Sequence, residues 1–233
     1  GAALRPAEGM AAPAAAGGAD GATANAMAPP AADSPALWYP GSPEIFRRLL
    51  RGQDRGCCFE LHPSDFAALQ ELFRHDRRFR IGRKDGFEAL IALLPPPSRR
   101  GLIFIDPSYE MKDDFNRLPP CLSGALRRFS TGTFLIWYPL LAGFPESLRL
   151  PERLMERYGG NRLRAELYPG PARPEGGGLP AGQGGRSPRG MFGSGIVIYN
   201  PPWTLGPALE TALPFLAEGP ETGKGGWRIW QEK

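Results

Sequence analysis

From residue 37 onward, short apolar runs alternate with stretches whose apolar residues recur at helical spacing. In "SPEIFRRLLR", Ser42 can cap a helix with Pro43 at its first position, and Ile45, Phe46, Leu49 and Leu50 share a face away from the arginines. "CCFEL" predicts a buried strand ending at Glu60. "PSDFAALQELFRH" predicts an amphipathic helix with Phe66, Leu69, Leu72 and Phe73 on one side. "RFRIG" is a short strand, and Asp85-Gly86 opens a helix over "KDGFEALIALL". "GLIFI" is a third strand ending at Asp106, "LPPCLSGALRRF" is helical after its prolines, and "GTFLIWYP" is a fourth strand. "ESLRLPERLMERYG" is a helix interrupted by Pro151, and "RLRAELYP" a further strand. Residues 169–190 form a Gly/Pro/Arg loop, and "GSGIVIYNPPW" is a strand with a rigid stop. A last helix around "PALETALPFL" precedes the tail "GWRIWQEK". Strands alternating with helices predict an α/β fold with a doubly wound, mostly parallel sheet. Ligands of such sheets sit at the carboxyl ends of the strands.

Composition divides the chain in two. Residues 1–36 are dominated by Ala, Gly and Pro, contain no aromatic residue, and offer too little apolar surface to offset the entropy of ordering. They are expected to be a flexible low-complexity segment, with one domain over 37–233. The net charge of +4 is too small to imply a nucleic-acid partner by itself. Its distribution says more: Arg47, Arg48, Arg51 and Arg55 form one group, and Arg74, Arg77, Arg78, Arg80, Arg83 and Lys84 another. Guanidinium groups suit phosphate contacts, and they equally suit a solvated helix face. The three cysteines have no disulfide or zinc spacing, so a reducing, cytoplasmic setting and no metal are expected. No apolar run approaches the ~20 residues of a membrane span.

Three successive strands end in an acid: Glu60, Asp85 just after its strand, and Asp106. One such acid is ordinary, because Asp starts turns and caps helices. Three at one edge of a parallel sheet converge on one crevice, where they can take ribose hydroxyls, an adenine amino group and a second substrate in turn. Asp106-Pro107-Ser108-Tyr109 suits the last task. The Asp106 carboxylate and the Pro107 carbonyl can both accept from an exocyclic amine and aim its lone pair, while Tyr109 stacks on the ring. Ser108 replaces a residue that would only stiffen the turn. Asn200-Pro201-Pro202-Trp203 matches the Asn/Asp-Pro-Pro-aromatic pattern better. It follows the last sheet strand, however, and is expected to be a rigid exit that packs Trp203.

The ordered blocks "YPGSP" (39–43), "ELHPSD" (60–65), "KDGF" (84–87), "SRRGLIFIDPSYE" (98–110), "WYP" (137–139) and "RGM…GSG…NPPW" ending at Trp203 resemble the bacterial 23S rRNA adenine-N6 methyltransferases of the RlmJ type. The resemblance implies a class I methyltransferase fold, S-adenosylmethionine as methyl donor, and an adenine of protein-free 23S rRNA as target. It assigns Ser42, Glu60, Asp85 and Gly86 to the donor, with Asp106 beside the donor and catalytic. A monomer with no membrane association is expected. The family's Gly-rich motif, which ends its first strand, is not found here; Gly1-Ala2-Ala3 can be its stump. The expected fold is therefore one whose first strand and glycine loop are missing. Two alternatives stay open, a DNA adenine-N6 methyltransferase and a non-catalytic RNA-binding remnant of the fold.

Overall fold

The computed structural model describes residues 40–110, 112–157, 159–168, 190–218 and 225–232. The low-complexity segment 1–36 and residues 169–189 of the Gly/Pro/Arg loop lie outside them. In chain order the elements are α1 (Ser42–Leu49), β1 (Gly56–Phe59), α2 (Pro63–Phe73), β2 (Phe79–Gly82), α3 (Gly86–Leu93), β3 (Leu102–Ile105) and α4 (Lys112–Arg128). Then follow β4 (Thr133–Ala142), α5 (Pro145–Arg157), β5 (Arg162–Tyr168), β6 (Gly190–Tyr199), α6 (Leu205–Ala217) and β7 (Gly226–Glu232). None of the described helices is long and apolar enough to cross a membrane.

The α/β alternation is as expected, but the sheet is mixed and comes in two pieces. β1 and β2 pair in parallel, from Gly56 opposite Phe79 to Phe59 opposite Gly82. The other five strands run in the order β3-β4-β6-β5-β7. Within that sheet only β3 and β4 pair in parallel; β6 lies antiparallel between β4 and β5, and β7 is antiparallel to β5. Among the described residues no strand ladder joins the two pieces across the break. A helix spans it, for the Phe46 ring of α1 lies 5.4 Å from that of Phe104 on β3. The expected tail "GWRIWQEK" is an edge strand instead, because Gly226–Glu232 finds a ladder partner in β5.

The core belongs to the larger sheet. Alternate residues of β4 point to one face, as strand geometry requires, and Phe134, Ile136 and Tyr138 have no exposed surface there. Phe115, Leu118 and Leu122 of α4 and Leu150 and Leu154 of α5 cover them. On the other face Leu163, Ala165 and Ile198 meet Leu213 of α6.

Two proline expectations are corrected. α4 begins at Lys112 and runs through Pro119 and Pro120, and α5 continues through Pro151. Proline removes the N–H that would bond the carbonyl one turn back. For Pro119 that carbonyl belongs to Phe115, and Arg153 Nη1 of α5 donates to it at 3.4 Å. Tertiary contacts thus replace the lost bond. At α1 the cap is Gly41, with Ser42 already inside the helix and its hydroxyl making no capping bond.

Candidate active site

Asp106 follows directly on β3. Its carboxylate reaches solvent and accepts no hydrogen bond among the described residues. The protein around it removes part of its hydration and raises its pKa above the ordinary carboxylate value, making it a better acceptor. The Pro107 carbonyl is likewise free among the described residues. The next turn is fixed from below. Tyr109 has φ +55°, uncommon for a bulky residue, and only 6% exposure. Its O–H donates to the Trp137 carbonyl of β4 at 2.6 Å, and its ring meets Phe115 at 4.7 Å. The expected stacking role for Tyr109 is not what this geometry presents, because the ring is turned into the core. It anchors the Asp106 turn onto β4.

The other acids stand at the ends of the smaller sheet. Glu60 continues the ladder one step, its backbone N–H donating to the Gly82 carbonyl at 3.2 Å. Its carboxylate accepts from the His62 N–H at 2.8 Å. Asp85 caps α3, accepting from the Phe87 N–H at 2.8 Å through Oδ1. Through Oδ2 it accepts from Arg117 Nη2 of α4 at 2.5 Å. Burial pushes its pKa up, but Arg117 and the Phe87 N–H outweigh this and hold it below the ordinary range. At Gly86 an added Cβ would meet nothing within 4 Å, so a ligand could approach the backbone there. Ser42 Oγ makes no hydrogen bond among the described residues.

The expected single sheet edge is therefore corrected. Glu60 and Asp85 belong to β1–β2 and Asp106 to the five-stranded sheet, and no hydrogen bond or ion pair among the described residues joins Asp106 to either. Arg117, on the helix that follows the Asp106 turn, joins Asp85 to the larger half. The sequence reading missed it because α4 was expected to start after its prolines. The Asp113/Arg117 pair at i,i+4, 3.9 Å apart, was the available signal.

Around Glu60, Pro43, Asp65, Ala68, Leu69 and Leu72 line an open cavity of about 340 Å³. A larger surface hollow of about 590 Å³ lies against α2 and β2, with none of the three acids in its lining. Most of the first arginine group is consumed internally. Arg47 and Arg48 bind Glu44, Arg51 binds Asp54, and Arg55 donates to backbone carbonyls. In the second group Arg78 binds Asp76 and Arg74 lies 3.5 Å from Glu71. Arg77, Arg80 and Arg83 stay exposed without such a partner among the described residues.

The rival motif lies at the opposite edge, because β6 runs antiparallel to β4. Asn200, at φ +51°, donates through Nδ2 to the Ser130 and Gly132 carbonyls, both at 2.7 Å. That makes it the rigid exit expected. Trp203, however, is 88% exposed rather than packed.

A family model described as "Ribosomal RNA large subunit methyltransferase D, RlmJ" matches residues 31–231. Among curated proteins, the chain is 38% identical over 194 residues to ribosomal RNA large subunit methyltransferase J of Haemophilus influenzae, covering 82% of this chain. It is 40% identical over 180 residues to the protein of the same name from Escherichia coli, covering 77%. The chain spans 64% and 59% of the lengths of these two relatives. A crystal structure of a Legionella pneumophila protein superposes with a TM-score of 0.71 at 33% identity, covering 84% of this chain and 67% of that one.

Proposed function

Because the chain belongs to the RlmJ family of ribosomal RNA large subunit methyltransferases, we propose that it contributes the catalytic turn and part of the donor site of a 23S rRNA adenine-N6 methyltransferase. The observation that carries this reading is the Asp106 turn. A carboxylate without a competing hydrogen-bond donor stands beside a free backbone carbonyl, on a loop that Tyr109 pins to the core. An amino group on adenine is a poor nucleophile because its lone pair is delocalised into the ring. Two acceptors, Asp106 and the Pro107 carbonyl, can take its two N–H groups, favour a pyramidal nitrogen and point the lone pair outward. Asp106, with its raised pKa, can then receive the proton that the nitrogen sheds.

S-adenosylmethionine, when bound, supplies the electrophilic methyl group. The residues present fit such a donor. Asp85 is an ionised acceptor suited to the amine of its adenine, Glu60 suits ribose hydroxyls, Gly86 leaves its backbone approachable, and Ser42 offers an unused hydroxyl. No step depends on Tyr109 leaving the core.

In the complete protein, Asp106→Ala is expected to remove methyl transfer to protein-free 23S rRNA by at least ~100-fold while donor affinity changes little. Radiolabelled transfer, run beside duplex DNA of matched length, reads both the residue and the substrate. Unchanged turnover on 23S rRNA in the variant would sink the assignment, and preferential labelling of the duplex would redirect it to DNA.

A further inference from the structure

The cluster at the start of α3 contains more than a capped helix. Asp85 is held at both oxygens, by the Phe87 N–H at 2.8 Å and by the Arg117 guanidinium at 2.5 Å. Arg117 is itself held, stacked 4.9 Å over the Phe87 ring and 3.9 Å from Asp113 one turn earlier. One turn later Cys121 donates its thiol to the Phe87 carbonyl at 3.4 Å. The charged or titratable groups that face Asp85 from α4 are thus Arg117 and Cys121, with Asp113 and Asp114 beyond Arg117. From its own helix come the Phe87 and Glu88 N–H groups. Burial pushes the Cys121 thiol up to about 11, so it stays uncharged at neutral and acid pH.

We propose that Arg117 is a positioning residue that fixes Asp85 as an oriented, ionised acceptor and so selects a 6-amino purine over a 6-oxo purine at the donor site. The proposal rests on the donor reading above. An anionic carboxylate has only acceptors. One lone pair on each oxygen is taken, and those remaining can meet an N–H but would oppose the oxygen of a 6-oxo ring. A carboxyl that gained a proton could donate to that oxygen, and one free to rotate could turn away from it; either would discriminate less. The planar guanidinium, stacked on the Phe87 ring while Nη2 reaches Asp85, has a fixed orientation that Lys or Gln lacks. Arg117 therefore also links the donor half of the site to the helix leaving the catalytic turn.

The test compares Arg117→Gln and Arg117→Lys with wild type in two ways. The first is the titration midpoint of the Asp85 carboxyl, followed by NMR without ligand. The second is the affinity of the complete protein for S-adenosylhomocysteine and for its inosine counterpart, measured by calorimetry across pH. In Arg117→Gln the midpoint is expected to rise. S-adenosylhomocysteine should bind on the order of tenfold more weakly and its advantage over the inosine compound should narrow by a similar factor. The loss of binding at low pH should move to higher pH. Arg117→Lys should restore the acid limb but not the discrimination. An unchanged midpoint, or an unchanged ratio of affinities in Arg117→Gln, overturns the proposal alone and leaves the donor reading standing. A wild-type protein that binds neither compound overturns the donor reading and this inference with it. If Arg117→Gln does not fold, the Lys variant decides by the same ratio.

Discussion

The two sheets differ in what holds them. The five-stranded sheet has helices packed on both faces, and Phe115, Phe134, Ile136 and Tyr138 have no exposed surface. In the β1–β2 unit neither strand contains a buried residue, α1 contains none, and α2 contributes Phe73. A two-stranded ribbon is marginal in water without further cover. Polar contacts tie it to α1: Arg78, just before β2, reaches the Leu50 carbonyl at 2.5 Å and the Arg47 carbonyl at 3.1 Å. The Asp106 turn is thus built on the well-buried sheet, while Ser42 and Glu60 ride on the unit with little buried surface.

The largest expected effect follows from that contrast. Phe134→Ala should cost about 3–5 kcal/mol and broaden or abolish the main unfolding transition. Phe79→Ala, which removes a half-buried ring stacked 4.1 Å from Phe73, should cost about 1–2 kcal/mol locally and leave that transition in place. Trp137, Trp227 and Trp230 lie in the larger sheet, so with Trp38 and Trp203 replaced by Phe, tryptophan fluorescence reports on it selectively. Amide exchange supplies the other half, with β1 and β2 exchanging faster than β4 and β6. Equal protection of the two sheets, or a fluorescence midpoint that falls as far for Phe79→Ala as for Phe134→Ala, would erase the distinction.

A second prediction tests how tightly the larger sheet is filled. Tyr138, Gly195 and Glu166 lie in one row across β4, β6 and β5. The tyrosine lies across the glycine and donates to Glu166 Oε1 at 2.8 Å, and Arg164 and Tyr168 also donate to that buried carboxylate. A Cβ at Gly195 would come 2.3 Å from Tyr138 Oη and 2.8 Å from Glu166 Cγ. Gly195→Ala should therefore cost about 1–3 kcal/mol by thermal unfolding. Adding Tyr138→Phe should recover little of the loss, because the ring Cζ, 2.4 Å from that Cβ, remains in the way. A Gly195→Ala protein as stable as wild type would show that this part of the core yields more readily than its burial implies.

How far the sequence reveals this molecule differs between the same two regions. Strands whose apolar residues alternate or run together, such as "GTFLIWYP" and "GSGIVIYNPPW", were legible because burial on the sheet is what their pattern encodes. The prolines of α4 and α5 misled, since local propensity cannot register that Arg153 would satisfy the carbonyl that Pro119 leaves unbonded. The tail became β7 because β5 offered a free edge, a fact of topology rather than of the tail's own residues. At the site, Asp106 and its strand-end position were legible, as were Glu60 and Asp85. The inward turn of Tyr109 was not, because a positive φ follows from what the ring packs against. Arg117 escaped for the same reason as the start of its helix.

The smallest effect concerns acid, and its sign separates the two regions once more. Hydrogen bonds from Arg47 and Arg48 hold the Glu44 carboxyl down at about 2, against an ordinary value of 4.5. The Arg78 hydrogen bond does the same for Asp76, from 3.8 to about 2. A carboxylate whose pKa is lower folded than unfolded stabilises the fold above the unfolded value and loses that contribution as pH falls through the folded one. The β1–β2 unit should therefore weaken between about pH 4.5 and pH 2. Asp106 is shifted the other way, so acid relieves a cost to the folded state there instead of removing a gain. Exchange of β1 and β2 amides should accelerate over that interval while fluorescence of the larger sheet stays level. Added salt should shrink the effect, because these ion pairs lie near the surface. Glu44→Gln should flatten part of the dependence without moving the fluorescence midpoint. Acid that loosened the larger sheet first would mean that these polar pairs do not hold the unit together, and that its stability comes from contacts with β3 instead.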